Sequence, residues 1–290
     1  MRFGVVILPD ARWSEAAGRW RRADELGFAH AWTYDHLAWR SLRDDPWFAM
    51  VPTLAAAASV TQRVRLGPLV ASPNFRHPVP FAKELAALDD LTGGRLVVGL
   101  GAGGIGWDAT VLGIPAWSSQ ERAGRFEEFV ALTDLLLRQP ATTSEGRWYS
   151  ADQARMVPGC LQQPRVPFAV AATGRRGMRL AARYGQAWVT TGDRSSGPGP
   201  VSAADGAAIV AAQIARLEEA CDEAGRDPAT IDRMVLTGAE FDDGLSSVEA
   251  FRDVVGEYEA VGVTDLVVHW PRHTEPYVAD LATFERIFSA

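Results

Sequence analysis

Residues 80–104, PFAKELAALDDLTGGRLVVGLGAGG, decide how this chain folds. Phe81, Leu85, Leu88 and Leu91 fall at helical spacing, so the first half reads as a helix with one apolar face. Gly93 and Gly94 stop it, because glycine enters the left-handed backbone that closes a helix at no steric cost. RLVVGL (95–100) then reads as a strand without a polar face. Such a strand is covered on both sides, the condition of a parallel sheet flanked by helices. Glycines at 99, 101, 103 and 104 open the turn beyond it.

The same alternation runs in both directions. Upstream, FGVVIL (3–8), FAHAWTY (28–34) and VRLGPLVA (64–71) read as strands, with helices over 13–26 and 46–61 between them. Downstream, the spacing predicts helices over 119–138, 176–185, 203–225, 246–261 and 276–288. The remaining strands are VPFAVAA (166–172), QAWVTT (186–191), RMVLTGAEF (233–241) and VTDLVVHW (263–270). Eight strand–helix units in 290 residues predict one (β/α)8 barrel, a TIM barrel, as a single domain over 1–290. A doubly wound open sheet is the rival, and no linker or composition break marks its edges. Residues 140–165 are too long for an ordinary connection and predict an irregular excursion over the barrel mouth before the fifth strand. GDRSSGPGPVS (192–202) reads as a second, flexible stretch at the same end.

Composition narrows the function. Hydrophobic residues make up 47% of the chain, enough for a full core, and the formal charge of −7 argues against a nucleic-acid footprint. No apolar stretch approaches the roughly 20 residues of a membrane span. MRFGVVILPD (1–10) lacks the apolar region and cleavage site of a signal peptide. Cys160 and Cys221 form no CxxC pair. These features lead to the expectation of a cytoplasmic protein that contacts neither membrane nor nucleic acid.

In a parallel barrel the chemistry gathers where strands end. TYDHLAW (33–39) puts Asp35, His36 and Trp39 at one such end. Two readings stand: a capping aspartate with a structural histidine, or a proton-transfer pair. ATGRRGMRLAAR (172–183) ends a strand in glycines and begins a helix, whose free N–H groups suit a phosphate, with Arg175 or Arg176 adding charge. The alternative there is a plain tight turn. GLGAGGIGWD (99–108) resembles a dinucleotide fingerprint but lacks its acidic partner, so Gly103 and Gly104 read as backbone that a flat ring approaches closely, or as turn glycines. Pro73 and Pro78 fix the loop VASPNFRHP (70–78), where a cis bond or bulge would fit; Arg76 and His77 read there as structural. His269 at the last strand end reads as a core histidine.

Together these stretches resemble the bacterial-luciferase-like superfamily, barrels that use FMN or the deazaflavin F420. RHPVPFAKELAALDDLTGGRLVVGLGAGG (76–104) carries most of the likeness, followed by ATGRRGMRLAARYGQAWVTTG (172–192). TYDH and the modest length resemble the F420-dependent branch. The resemblance implies that Asp35 and His36 are the pair beside the deazaflavin, with His36 as acid–base residue. It implies that Trp39 packs in the substrate pocket and that Ser72 contacts the cofactor ring. It assigns Ala172, Thr173 and Gly174 to the cofactor phosphate, where Arg175 would add its charge, and Thr190 to a further cofactor contact. Two departures stand out: Gly104 replaces the glutamate acid, and Asp193 the phosphate-binding lysine, of the F420-dependent sugar-phosphate dehydrogenases. A sugar phosphate is therefore not expected. Trp39, Trp47, Trp107 and Trp148 suggest an apolar or aromatic substrate instead.

The expectation is an F420-dependent oxidoreductase with a small-molecule substrate, in which His36 moves the coupled proton. An FMNH2-dependent monooxygenase supplied by a separate flavin reductase is the first rival. The second is a non-catalytic flavin- or phosphate-binding barrel, to which Gly104 would lend support. A metal-dependent hydrolase built on Asp35, His36 and His269 is weaker, because no compact ligand spacing exists and no metal is expected. The resemblance also implies a homodimer.

Overall fold

The computed structural model describes residues 1–104, 106–192 and 200–289. Ten strands and eight helices run through it: β1 (Arg2–Val6), α1 (Trp13–Glu25), β2 (His30–Thr33), α2 (Met50–Ala58), β3 (Arg65–Pro68), α3 (Pro78–Leu91), β4 (Val98–Leu100) and α4 (Ser119–Arg138). They continue as β5 (Ala141–Ser144), β6 (Ala151–Arg155), β7 (Phe168–Ala171), α5 (Arg175–Tyr184), β8 (Ala187–Thr190), α6 (Ala203–Glu223), β9 (Asp232–Leu236), α7 (Val248–Ala260), β10 (Asp265–His269) and α8 (Leu281–Phe288).

Eight strands form one parallel sheet in the order β3-β2-β1-β10-β9-β8-β7-β4. Bridges from Leu66 to Leu96 and from Ala71 to Leu100 join its two edges, so the sheet closes into the expected (β/α)8 barrel. An open doubly wound sheet is ruled out by that closure. The expected excursion before the fifth barrel strand (β7) is not wholly irregular: β5 and β6 form an antiparallel ribbon. Glu128 of α4 accepts hydrogen bonds from the backbone of Trp148 and Tyr149 and pins the ribbon's turn to the barrel wall.

The strands looked uniformly apolar because they face two cores. Val5, Ile7, Ala31, Leu66, Val98, Val170 and Val268 pack outward against the helices. Their neighbours Val6, Leu8, Trp32, Val97, Ala169, Val189 and Val267 pack inside the barrel. This is the period of two of any strand, hidden because both faces are buried. The bore takes the whole Trp32 indole, and Gly67 makes room for it: a Cβ there would overlap the Val97 carbonyl and the Trp32 ring.

Polar groups seal the N-terminal end of the bore. Arg2 donates to both carboxylate oxygens of Asp265, at 2.8 and 2.7 Å. The indole N–H of Trp32 donates to His30 Nδ1 at 2.6 Å. The proton of His30 therefore sits on Nε2, which donates to Asp265 Oδ1 at 3.0 Å. Burial raises the Asp265 carboxyl, but hydrogen bonds from His30, Arg2 and Thr264 outweigh it and hold the group down at about 2. Every member of this floor is paired, as buried polar groups require.

Element ends differ from expectation where side chains cap. α8 starts at Leu281 and not at 276, because Asp280 accepts the Thr283 N–H as its N-cap. β9 stops at Leu236, because the chain turns through Gly238 at φ +89°.

Candidate functional site

The C-terminal strand ends enclose a cavity of about 610 Å³. A second cavity, of about 500 Å³, adjoins it and shares Ala102 and Ala171 as a wall. Residues from the ends of β2, β3, β4, β8 and β9 line the first, as the barrel's geometry demands.

Tyr34 and His36 line the large cavity; Asp35 between them does not. The alternation of extended backbone turns its side chain away. Asp35 is buried against Arg76, whose guanidinium grips both carboxylate oxygens and also reaches Glu84. The expected Asp35–His36 pair is thus not assembled; Asp35 is a structural anchor for the loop after β3. Arg76 is structural, as expected, and His77 caps α3 by accepting the Val79 N–H.

The carboxylate partner of His36 is Asp108, 72 residues away in the loop after β4. Asp108 Oδ2 takes the hydrogen of His36 Nδ1, and its Oδ1 accepts the Leu37 N–H at 2.8 Å. The His36 carbonyl accepts from the Trp47 indole at 2.8 Å. The ring is clamped on one side, its Nε2 has no hydrogen-bond partner among the described residues, and the side chain stays 34% exposed while Asp108 is 4%. A carboxylate that fixes the tautomer and orientation of an imidazole prepares it to accept or deliver a proton at the other nitrogen. The sequence reading missed Asp108. A carboxylate at the end of an otherwise glycine-rich, apolar loop was its only signal.

Ser72, Gly103, Gly104, Trp39 and Trp107 all line the large cavity. Trp47 stacks on Trp39 with planes 11° apart and supports it from behind. Trp148 packs against Gly124 and is not a cavity wall. Thr190 is not brought to the cavity: it is buried and its hydroxyl accepts the Gly192 N–H, while Thr191 is the lining residue. Asp193 lies outside the described residues. The peptide bond Leu69–Val70 is cis, and both residues face the cavity.

Ala172, Thr173, Gly174 and Arg175 line the second cavity, at the start of α5. Gly174 is the N-cap and offers no side-chain bond, so the first N–H groups of this helix stay open to an anion. The Arg175 guanidinium, however, is paired with Glu223, and that of Arg176 with Glu127. An anion placed here would meet backbone N–H groups, with both of these guanidinium groups already paired. Asn74 lines the large cavity with a buried Oδ1 that has no hydrogen-bond partner among the described residues. An orphaned acceptor in a cavity fits a ligand that carries a ring N–H. A flat ring with a phosphate tail therefore fits this pair of lobes. No group of three or more metal-ligating side chains exists among the described residues.

A family profile described as luciferase-like monooxygenase matches residues 1–250. The chain belongs to the luciferase-like monooxygenase family. Members similar to it include an F420-dependent glucose-6-phosphate dehydrogenase of Beutenbergia cavernae, 33% identical over 84% of this chain and 71% of that protein. A 4-hydroxyprotoasukamycin monooxygenase of Streptomyces nodosus subsp. asukaensis is 31% identical over 90% of this chain and 64% of its own length. This chain thus spans about two thirds of the length of these luciferase-like relatives. Among solved structures, an F420-dependent secondary alcohol dehydrogenase superposes with TM-score 0.80 at 17% identity, covering 100% of this chain and 99% of that one. The F420-dependent tetrahydromethanopterin reductase of Methanopyrus kandleri gives 0.76 at 20%, over 99% and 96%. At those identities the likeness concerns the barrel alone. Among the described residues, no helix is long and apolar enough to cross a membrane.

Proposed function

We propose that this chain is an F420-dependent oxidoreductase acting on a small, apolar or aromatic organic substrate. The observation that carries the reading is His36, clamped by Asp108 and open at Nε2, in a cavity joined to an anion-ready helix start. The F420-dependent relatives support the choice of cofactor. When bound, the deazaflavin would supply hydride transfer. The open N–H groups of Thr173 to Gly177 would hold its phosphate, Asn74 Oδ1 would accept from a ring N–H, and Ser72 would border the ring. His36 would take up or release the coupled proton at Nε2, with Asp108 keeping the ring in place.

The walls favour an apolar substrate. Tyr34, Trp39, Trp107 and Tyr277 face the cavity with Leu69, Val189 and Leu236. Arg40 is the one arginine among its described lining residues, against Glu240. That is poor provision for a sugar phosphate, the substrate class of the dehydrogenase relative. A homodimer and a separate reductase that supplies the reduced cofactor complete the proposal.

Fluorescence titration with F420 and FMN, each oxidised and reduced, tests it. Micromolar or tighter F420 binding with weak FMN binding is expected. A preference for reduced FMN would move the chain to the monooxygenases, and binding of neither would overturn the cofactor reading.

A further inference from the structure

Arg40 lines the large cavity, and among the described residues no carboxylate pairs with it. It opens a short 3-10 turn, Arg40–Leu42, in the loop after β2. Trp39 and Leu42 on either side are buried, and the Leu42 N–H donates to the Trp39 carbonyl at 2.8 Å, so the turn is fixed. Arg40 itself sits at φ +43°, in the left-handed region where glycine is the usual occupant. An arginine held in that conformation points to a use for its side chain. Arg43, Arg76 and Arg272, also in loops of the mouth, are paired with Asp44, Asp35 and Asp10. The Arg40 side chain is exposed and makes no hydrogen bond among the described residues.

Its charge faces the aromatic wall of the cavity. The guanidinium carbon lies 5.2 Å from the centre of the Trp39 ring. Trp39 packs 5.3 Å from Tyr34 and 6.0 Å from Tyr277, and all three rings line the cavity. Burial pushes both phenols up, and the Arg40 charge acts on each in the opposite sense. At Tyr277 the charge of Arg272 adds to it. This corner of the cavity is therefore positive. Of the carboxylates in the lining, Asp108 is engaged by His36 and Leu37. Glu240 follows β9, three strands round the barrel from β2.

We propose that Arg40 binds a carboxylate of the substrate, so that the preferred ligand is an apolar or aromatic acid with a single negative charge. A guanidinium offers two parallel N–H groups to the two oxygens of a carboxylate. One unpaired arginine, with Glu240 in the same lining, suits one negative charge and is too little for a phosphate dianion. The apolar body of the acid would lie along Trp39, Trp107 and Leu236. Arg40 selects the substrate and moves no proton. The inference rests on the large cavity being the substrate site proposed above, and holds whichever cofactor lies beside it.

Ligand-observed NMR titrations of the full chain without cofactor test it, with phenylacetate and its neutral amide, phenylacetamide, as probes. The acid should bind about tenfold more tightly than the amide, and added salt should weaken the acid alone. Arg40→Gln should weaken the acid about tenfold and leave the amide within about twofold. Arg40→Lys keeps the charge without the planar fork, and its acid affinity should fall between the two. Equal binding of the probes, or binding of neither, overturns the inference. So does an equal loss of both in Arg40→Gln, which would make the arginine a prop for Trp39. A loss of F420 affinity in Arg40→Gln that spares the acid would give the charge to the cofactor, and overturns it too. Because the probes are read without cofactor, failure here is separate from failure of the F420 titration.

Discussion

Asp108 holds the Nδ1 hydrogen of His36 from 72 positions along the chain, and the same carboxylate ties down the backbone at Leu37. Ring and loop are thus fixed by one residue. Asp108→Asn would keep the shape but weaken the acceptor and unsettle the tautomer. We expect turnover to fall about 10- to 100-fold in steady-state assays, with cofactor affinity changed little. A full-rate Asn variant would show that the carboxylate does not serve the imidazole.

His36→Ala removes the proposed proton carrier itself. Turnover should drop by about 10² to 10⁴, the usual weight of general acid–base catalysis. Cofactor binding, read by fluorescence, should stay within about threefold of the wild type. Unchanged turnover would take His36 out of the reaction.

Arg175 looks from the sequence like a phosphate ligand, yet Glu223 engages it on the outer surface. Arg175→Ala should leave the affinity for cofactor within about threefold. Gly177→Val should weaken it clearly more, because even a Cβ there stands 2.8 Å from that of Ala172 and would displace the loop whose N–H groups meet the anion. A large loss in Arg175→Ala would return the guanidinium to the site.

His269 and Asp265 predict how stability responds to acid. The imidazole titrates near 6.5 unfolded and at about 3 folded, so between those values the unfolded chain holds the extra proton and stability falls with pH. Each such proton costs at most about 1.4 kcal/mol per pH unit. Asp265, at about 2 when folded against 3.8 unfolded, adds a loss of the same sign below about pH 4. Denaturant midpoints measured from pH 7 to 4 should fall, and fall less steeply in His269→Gln. Parallel curves would contradict the burial of a neutral imidazole.

Much of the barrel was legible, and the reason is local. The helix over 119–138 has its expected ends because Ser118 caps it and its apolar stripe lies within one stretch. The strands stood out because both of their faces are dry. The site was legible only in part. Strand-end position pointed to His36, Ser72, Trp39 and Trp107, and all four line the cavity. Asp35 does not line the cavity, and its partner, Arg76, lies 41 residues away, a pairing that no local pattern reports. Asp108 and Tyr277 were missed for the same cause: their meaning comes from the loop that faces them across the mouth.

The sealed floor of Arg2, His30, Trp32 and Asp265 has a consequence for how this protein can change. It anchors three strands at the end opposite the large cavity and borrows nothing from the mouth loops. Folding and selectivity are thereby housed at opposite poles, so a workshop seeking new substrates can rewrite the loops around Trp39 and Trp107 while the foundation stands untouched.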